Sequence, residues 1–127
     1  MRKLLLALLL LLPGQALAGP PEGVSGRMAL DEAADGLRQY RREADSRRRA
    51  DCLKRLAPTG DPRAAVALGE ALSDRSQPVS AAACDGLVDH YAPRALLEQF
   101  GERWLTARQW LRVNEAELRR RAKELPR

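Results

Sequence analysis

The sequence is poor in the residues that most often carry chemistry. It holds one histidine, His90, and two cysteines, Cys52 and Cys84, in 127 residues. A lone imidazole with no histidine or cysteine at ligand spacing gives a metal site no basis. Cys84 and His90 stand six residues apart, about 240° around a helix, so no thiolate–imidazole dyad forms within one helix. The serines lie in turns, without the Gly-x-Ser-x-Gly elbow of hydrolases. Asp85 and Asp89 share a helix face at i,i+4, and their Ala-rich surroundings make them solvated carboxylates rather than an acid–base pair. No catalytic residue, metal or cofactor is therefore expected, and the chain reads as a non-enzyme. β-branched residues are scarce and no window alternates with period two, which excludes a sheet. Aromatic residues make up only 4%, so the core must come from Leu, Ala and Val, a composition suited to closely packed helices.

Long apolar runs are also missing. The longest, Leu4 to Leu12, falls short of the roughly 20 residues of a spanning helix. It follows Arg2 and Lys3, is broken by Pro13-Gly14, and precedes Ala16-Leu17-Ala18, with small residues at the −3 and −1 positions of a peptidase site. Residues 1–18 thus read as a cleavable secretory signal cut after Ala18. No cysteine follows to serve as a lipid anchor. The expected destination is periplasmic or secreted, without stable membrane insertion after cleavage.

Loss of Arg2 and Lys3 would leave 20 of the 22 basic residues against 17 acidic ones, turning a formal +5 into +3. Charges of both signs are interspersed, and an exported protein seldom meets nucleic acid, so no nucleic-acid partner is expected. Two cysteines in an oxidising compartment suggest a Cys52–Cys84 disulfide, against the alternative of two buried thiols.

Residues 19–27, rich in Gly and Pro, read as a flexible lead-in, and residues 28–127 as one helical domain. Leu30, Ala33, Leu37, Tyr40 and Ala44 share one helical face. A second helix begins near Ser46, capped by Asp45 or Ser46, and carries Ala50, Leu53 and Leu56 until Pro58 and Gly60 stop it. Asp61 caps a third helix, with Pro62 in its first position. Ser73 to Pro78 reads as a turn, and a fourth helix runs from about Val79 to His90. Pro93 opens a fifth, whose stripe of Leu96, Leu97, Phe100 and Trp104 can continue through Ala107, Leu111 and Leu118. The favoured reading breaks that stretch before Asn114 and adds a short helix to about Leu125.

The pattern repeats. Pro62-Arg63-Ala64-Ala65 recurs as Pro93-Arg94-Ala95-Leu96, and Leu68-Gly69-Glu70 as Phe100-Gly101-Glu102. Three helix pairs result, at about 29–57, 61–90 and 93–125. The segment Gly60-Asp61-Pro62-Arg63-Ala64-Ala65-Val66-Ala67-Leu68, followed by Val79, Ala82-Ala83 and Leu87, resembles the short bacterial type of HEAT-like repeat. The middle unit matches well. The flanking units match in part, and Trp104, Trp110 and Asn114 depart from the family pattern. The resemblance implies an all-α, right-handed stack of about three antiparallel helix pairs, an α-solenoid fragment whose second helices line a concave face. It implies no reaction.

Two features offer themselves for partner binding. Arg47, Arg48 and Arg49 open the second helix, and arginine grips carboxylate or phosphate bidentately. Arg119, Arg120 and Arg121 form a similar run. In both cases a solvated face with i,i+4 pairing is the plainer reading. Trp104 falls on the apolar stripe and belongs to the core, whereas Trp110 falls off it and is the surface candidate. Together these readings describe an exported, non-catalytic repeat module that binds a protein partner. The alternatives are an arginine-dependent binder of anionic envelope polymers and a structural domain that associates with itself.

Overall fold

The computed structural model describes residues 26–125, with side chains from Asp31 onward. The expected signal at residues 1–18 and most of the lead-in lie outside the described residues. Six helices follow one another: α1 (Gly26–Arg42), α2 (Ser46–Leu56), α3 (Pro62–Ala71), α4 (Gln77–His90), α5 (Arg94–Phe100) and α6 (Arg103–Glu124), with a 3-10 turn at Ala57–Thr59 after α2. Among the described residues there is no strand, and no helix is long and apolar enough to cross a membrane. The all-helical expectation holds.

Local chemistry sets the helix ends. The Asp45 carboxylate accepts from the Arg48 amide at 3.0 Å and starts α2. Asp61 does the same for α3, accepting from the Arg63 amide at 2.7 Å, and Pro62 gives up an amide that had no helical partner. α4 begins at Gln77, two residues before the expected Val79, because Pro78 is accommodated in the first turn. Two glycines end segments in the left-handed region, Gly60 and Gly101, both at φ 67°. The Gly101 amide closes α5 by donating to the Leu97 carbonyl at 2.8 Å. Glu102 then caps the next helix, accepting from the Trp104 and Leu105 amides at 2.9 and 2.7 Å.

α2 lies along α4, and α3 lies along α6, the two most extensive helix contacts; α1 pairs with α2 and α3 with α4. α5 is short and packs mainly on α6, which crosses both α3 and α4. Leu53, Leu56, Leu68, Leu87, Leu96, Leu118 and Val79 are almost entirely buried at these contacts. Each such side chain contributes about 1.5–3 kcal/mol. Between them sit Ala64, Ala65, Ala83 and Ala107, all fully buried, whose small side chains let helix backbones approach. At Gly86 the approach is closest to fixed atoms: an added Cβ would stand 2.9 Å from Ala57 Cβ and 3.0 Å from a Leu68 methyl.

The C-terminal region differs from expectation. The chain does not break before Asn114; α6 is continuous from Arg103 to Glu124. Asn114 is buried within it and donates its side-chain amide to the Trp110 carbonyl at 2.8 Å, so its polarity is satisfied inside the helix. The break falls at Gly101 instead, which resets the helical phase. A stripe counted through Phe100 and Trp104 as one helix is therefore out of register. The face of α6 that is buried comprises Thr106, Ala107, Trp110, Asn114 and Leu118. Trp110, expected at the surface, is 0% exposed, whereas Trp104, expected in the core, is 37% exposed. Ala44, assigned to the stripe of α1, lies beyond its end and is exposed.

Gly86→Ala is expected to lower stability by up to about 2 kcal/mol net. Overpacking costs about 1–3 kcal/mol and exceeds the gain of up to about 1 kcal/mol in helix propensity. Urea unfolding followed by circular dichroism measures it; a stabilised variant would contradict the packing described.

Candidate functional site

The first arginine run is divided by helix geometry. Arg47 and Arg48 are exposed, but Arg49 turns inward. Its guanidinium lies 3.2 Å from the Asp74 carboxylate, donates to the Tyr40 hydroxyl at 3.1 Å, and sits 5.1 Å from the centre of the Tyr40 ring. One side chain thereby joins α1, α2 and the α3–α4 loop. The three arginines form no single patch, since consecutive helical residues point about 100° apart. The second run is engaged within the chain. Arg119 pairs with Glu70 and Glu115, Arg120 with Glu117 and Glu124, and Arg121 with Glu117. Hydrogen bonds from Arg120 and Arg121 hold the Glu117 carboxyl down to about 2. Because that value is depressed, the pairing supports the fold above the ordinary glutamate range and is lost as the pH falls toward 2.

Cys52 and Cys84 are not bonded, and both are buried. They occupy neighbouring helices but different surroundings. Cys52 accepts from Arg55 at 3.6 Å and borders a groove lined by Glu32, Asp35 and Gln39 of α1. Cys84 belongs to the main core and lies near Asp85, Arg103 and Glu102. Burial, with Asp85 beside it, pushes the Cys84 thiol up, away from the reactive thiolate. The expected disulfide is not formed in this structure, which holds Cys52 and Cys84 as buried thiols. Asp85 and Asp89 share a cation: Arg103 Nη2 lies 3.0 and 2.9 Å from them. That clamp ties α4 to the start of α6 and offsets one of the two carboxylate charges. His90 is exposed. Among the described residues no group of three or more His, Cys, Asp or Glu side chains is placed to hold a metal.

The core beneath α6 contains its own polar contact. Tyr91 donates to the Asp61 carbonyl at 2.9 Å, and its ring centre lies 5.8 Å from that of Trp110. Burial raises the Tyr91 hydroxyl well above the ordinary tyrosine value, so it stays a donor. The Trp110 indole nitrogen has no hydrogen-bond partner among the described residues. That position serves packing.

The surface feature with the composition of a binding site lies between α3 and α6. An open groove of about 780 Å³ has Gly69 and Leu72 of α3 on one side and Trp104, Leu105, Arg108, Leu111 and Arg112 of α6 on the other. Gly69 makes room for the Leu111 side chain, since an added Cβ would stand 2.7 Å from its Cδ1. Trp104 and Leu105 are 37% and 47% exposed, the large apolar side chains left in water among the described residues. Arg108 and Arg112 follow Trp104 at steps of four, on one face of α6. Both are exposed, and no ion pair to either is found among the described residues. Glu115 closes the far end with its carboxylate 3.1 Å from Arg119. Sequence reasoning missed this stripe because it placed Trp104 in the core. The signal that would have found it is Gly101-Glu102, a left-handed stop followed by a helix cap.

Arg49→Ala is expected to cost about 1–2 kcal/mol in urea unfolding, because it removes the ion pair to Asp74, which keeps only its Ser76 amide contact, and the hydrogen bond to the Tyr40 hydroxyl. Arg47→Ala and Arg48→Ala should stay within about 0.5 kcal/mol. Equal effects at all three positions would contradict the division described. Thiol titration of protein unfolded without reductant decides between the two states: two free thiols, labelled slowly in the folded state, are expected from the unbonded, buried cysteines, and no free thiol would instead establish the disulfide expected from the sequence. Scans against protein-family models, curated proteins and solved structures return no match to this chain.

Proposed function

We propose that the helical domain is a non-catalytic interaction module, exported to the periplasm or beyond, that binds a protein segment in the groove between α3 and α6. The observation that carries this reading is the exposure of Trp104 and Leu105 beside Arg108 and Arg112. Leaving an indole and a leucine in water has no packing benefit, and tryptophan and arginine are the residues over-represented at binding hot spots. The long α6 presents all four on one rigid element.

The HEAT-like reading of the fold belongs to this proposal. The contacts of α2 with α4 and of α1 with α3 follow the register of two stacked hairpins. α6, packed across α3 as well as α4, takes the place of an atypical terminal unit. The binding surface then lies at the terminal unit and not on the face that carries Arg47 and Arg48. A groove this small suits a weak or composite interface. The polymer-binding alternative asks for arginines converging on one surface. Arg49, Arg119, Arg120 and Arg121 are instead each engaged with neighbours, which weakens the support for it.

The test is retention of envelope proteins on the immobilised chain and on its Trp104→Ala, Leu105→Ala double variant. A polypeptide held by the native protein and lost from the variant, with the variant's helicity unchanged, is the expected result. Equal retention by both, or retention of polyanions alone, would overturn the groove reading.

A further inference from the structure

Charge along α6 is unevenly settled. Its C-terminal half is internally balanced, since Arg119, Arg120 and Arg121 all have glutamate partners. Along the groove, Arg108 and Arg112 have none among the described residues, and the neighbouring Glu115 is engaged with Arg119. Four residues apart, they stand one helical turn from each other, about 6 Å along the axis. The floor beside them carries an apolar part, with Leu72 buried and Leu111 half-buried, and Ser73 and Gln109 add polar groups to the lining.

Resting on the groove reading above, we infer that the occupant is an acidic protein segment, with an apolar side chain for Trp104, Leu105 and the floor, and carboxylates for Arg108 and Arg112. A guanidinium fork matches a carboxylate geometrically and loses little hydration on pairing. Complementary charge also selects against other occupants. A second copy docked α6 against α6 about a two-fold axis would oppose Arg108 and Arg112 to their own counterparts, which repels. An anionic bilayer is flat, whereas the apolar floor is recessed between two helices and suits a side chain.

The experiment selects from a displayed library of random 16-residue peptides on the purified full chain, and reads binding of the enriched peptides to every variant by titration calorimetry, with Trp104 emission as a second readout in chains that keep it; Trp110, already buried, stays constant. Enriched peptides are expected to carry Asp or Glu around a large apolar residue and to shift the emission to the blue. They should bind at least about thirtyfold more weakly to an Arg108→Glu, Arg112→Glu variant. The same variant should select Lys- and Arg-rich peptides instead. Binding should weaken as salt rises, since the pairs are exposed. Neutral apolar peptides that still require Trp104 and Leu105 would overturn the acidic partner while leaving the groove reading intact. Peptides indifferent to Trp104→Ala, Leu105→Ala would overturn both. A blue shift with phosphatidylglycerol vesicles and with no peptide would replace the acidic segment by a lipid surface. Circular dichroism of each variant separates loss of binding from loss of fold.

Discussion

Gly86 faces Ala57 and Leu68 across a gap that no side chain fits, and the rest of the architecture depends on that closeness. A chain with so few aromatic residues cannot fill wide spaces between helices, so it narrows them. Buried alanines on α2, α3, α4 and α6 serve the same end, because small side chains let backbones approach until leucines from neighbouring helices meet. With α4 seated on the corner after α2, the Tyr91 hydroxyl reaches the Asp61 carbonyl, and the start of α3 is anchored beneath it.

The exception to small-residue packing is Trp110. It is the largest fully buried side chain, and it lies where α6 crosses the space beside Tyr91. Burying Trp110 orients α6, and the orientation turns Trp104, Leu105, Arg108 and Arg112 outward. The inward and outward faces are therefore one decision: an indole in the core sets which residues of the same helix are offered to a partner. Arg103, clamped between Asp85 and Asp89, holds the beginning of the helix to α4 and limits its rotation.

Much of the local structure is legible in the sequence. Asp45, Asp61 and Pro62 announce helix starts because a side-chain oxygen or a missing amide solves the problem of unpaired donors within a few residues. The stripes of α2 and α3 read correctly for the same reason: both helices are short, cleanly capped and periodic. The C-terminal region is where a local signal and the longer pattern conflict, and the helix is continuous through Asn114. Asn114 looked like a stop because a polar residue on an apolar stripe is costly, yet its amide found the Trp110 carbonyl one turn back. Gly101 outweighs the longer pattern, because a single left-handed residue shifts the phase of everything after it.

The binding candidates divide along the same line. That Arg119, Arg120 and Arg121 pair with glutamates three or four residues away follows from helical spacing, and sequence alone determines it, as it determines the all-helical class and the capped helix starts. Whether Arg49 faces water or Asp74 and which tryptophan is exposed are decided only by the tertiary structure. Each depends on groups about 9 to 25 residues apart in the chain, brought together by how closely the helices pack and at what rotation. Spacing along one helix fixes angles within that helix; it carries no information about the axis of the next.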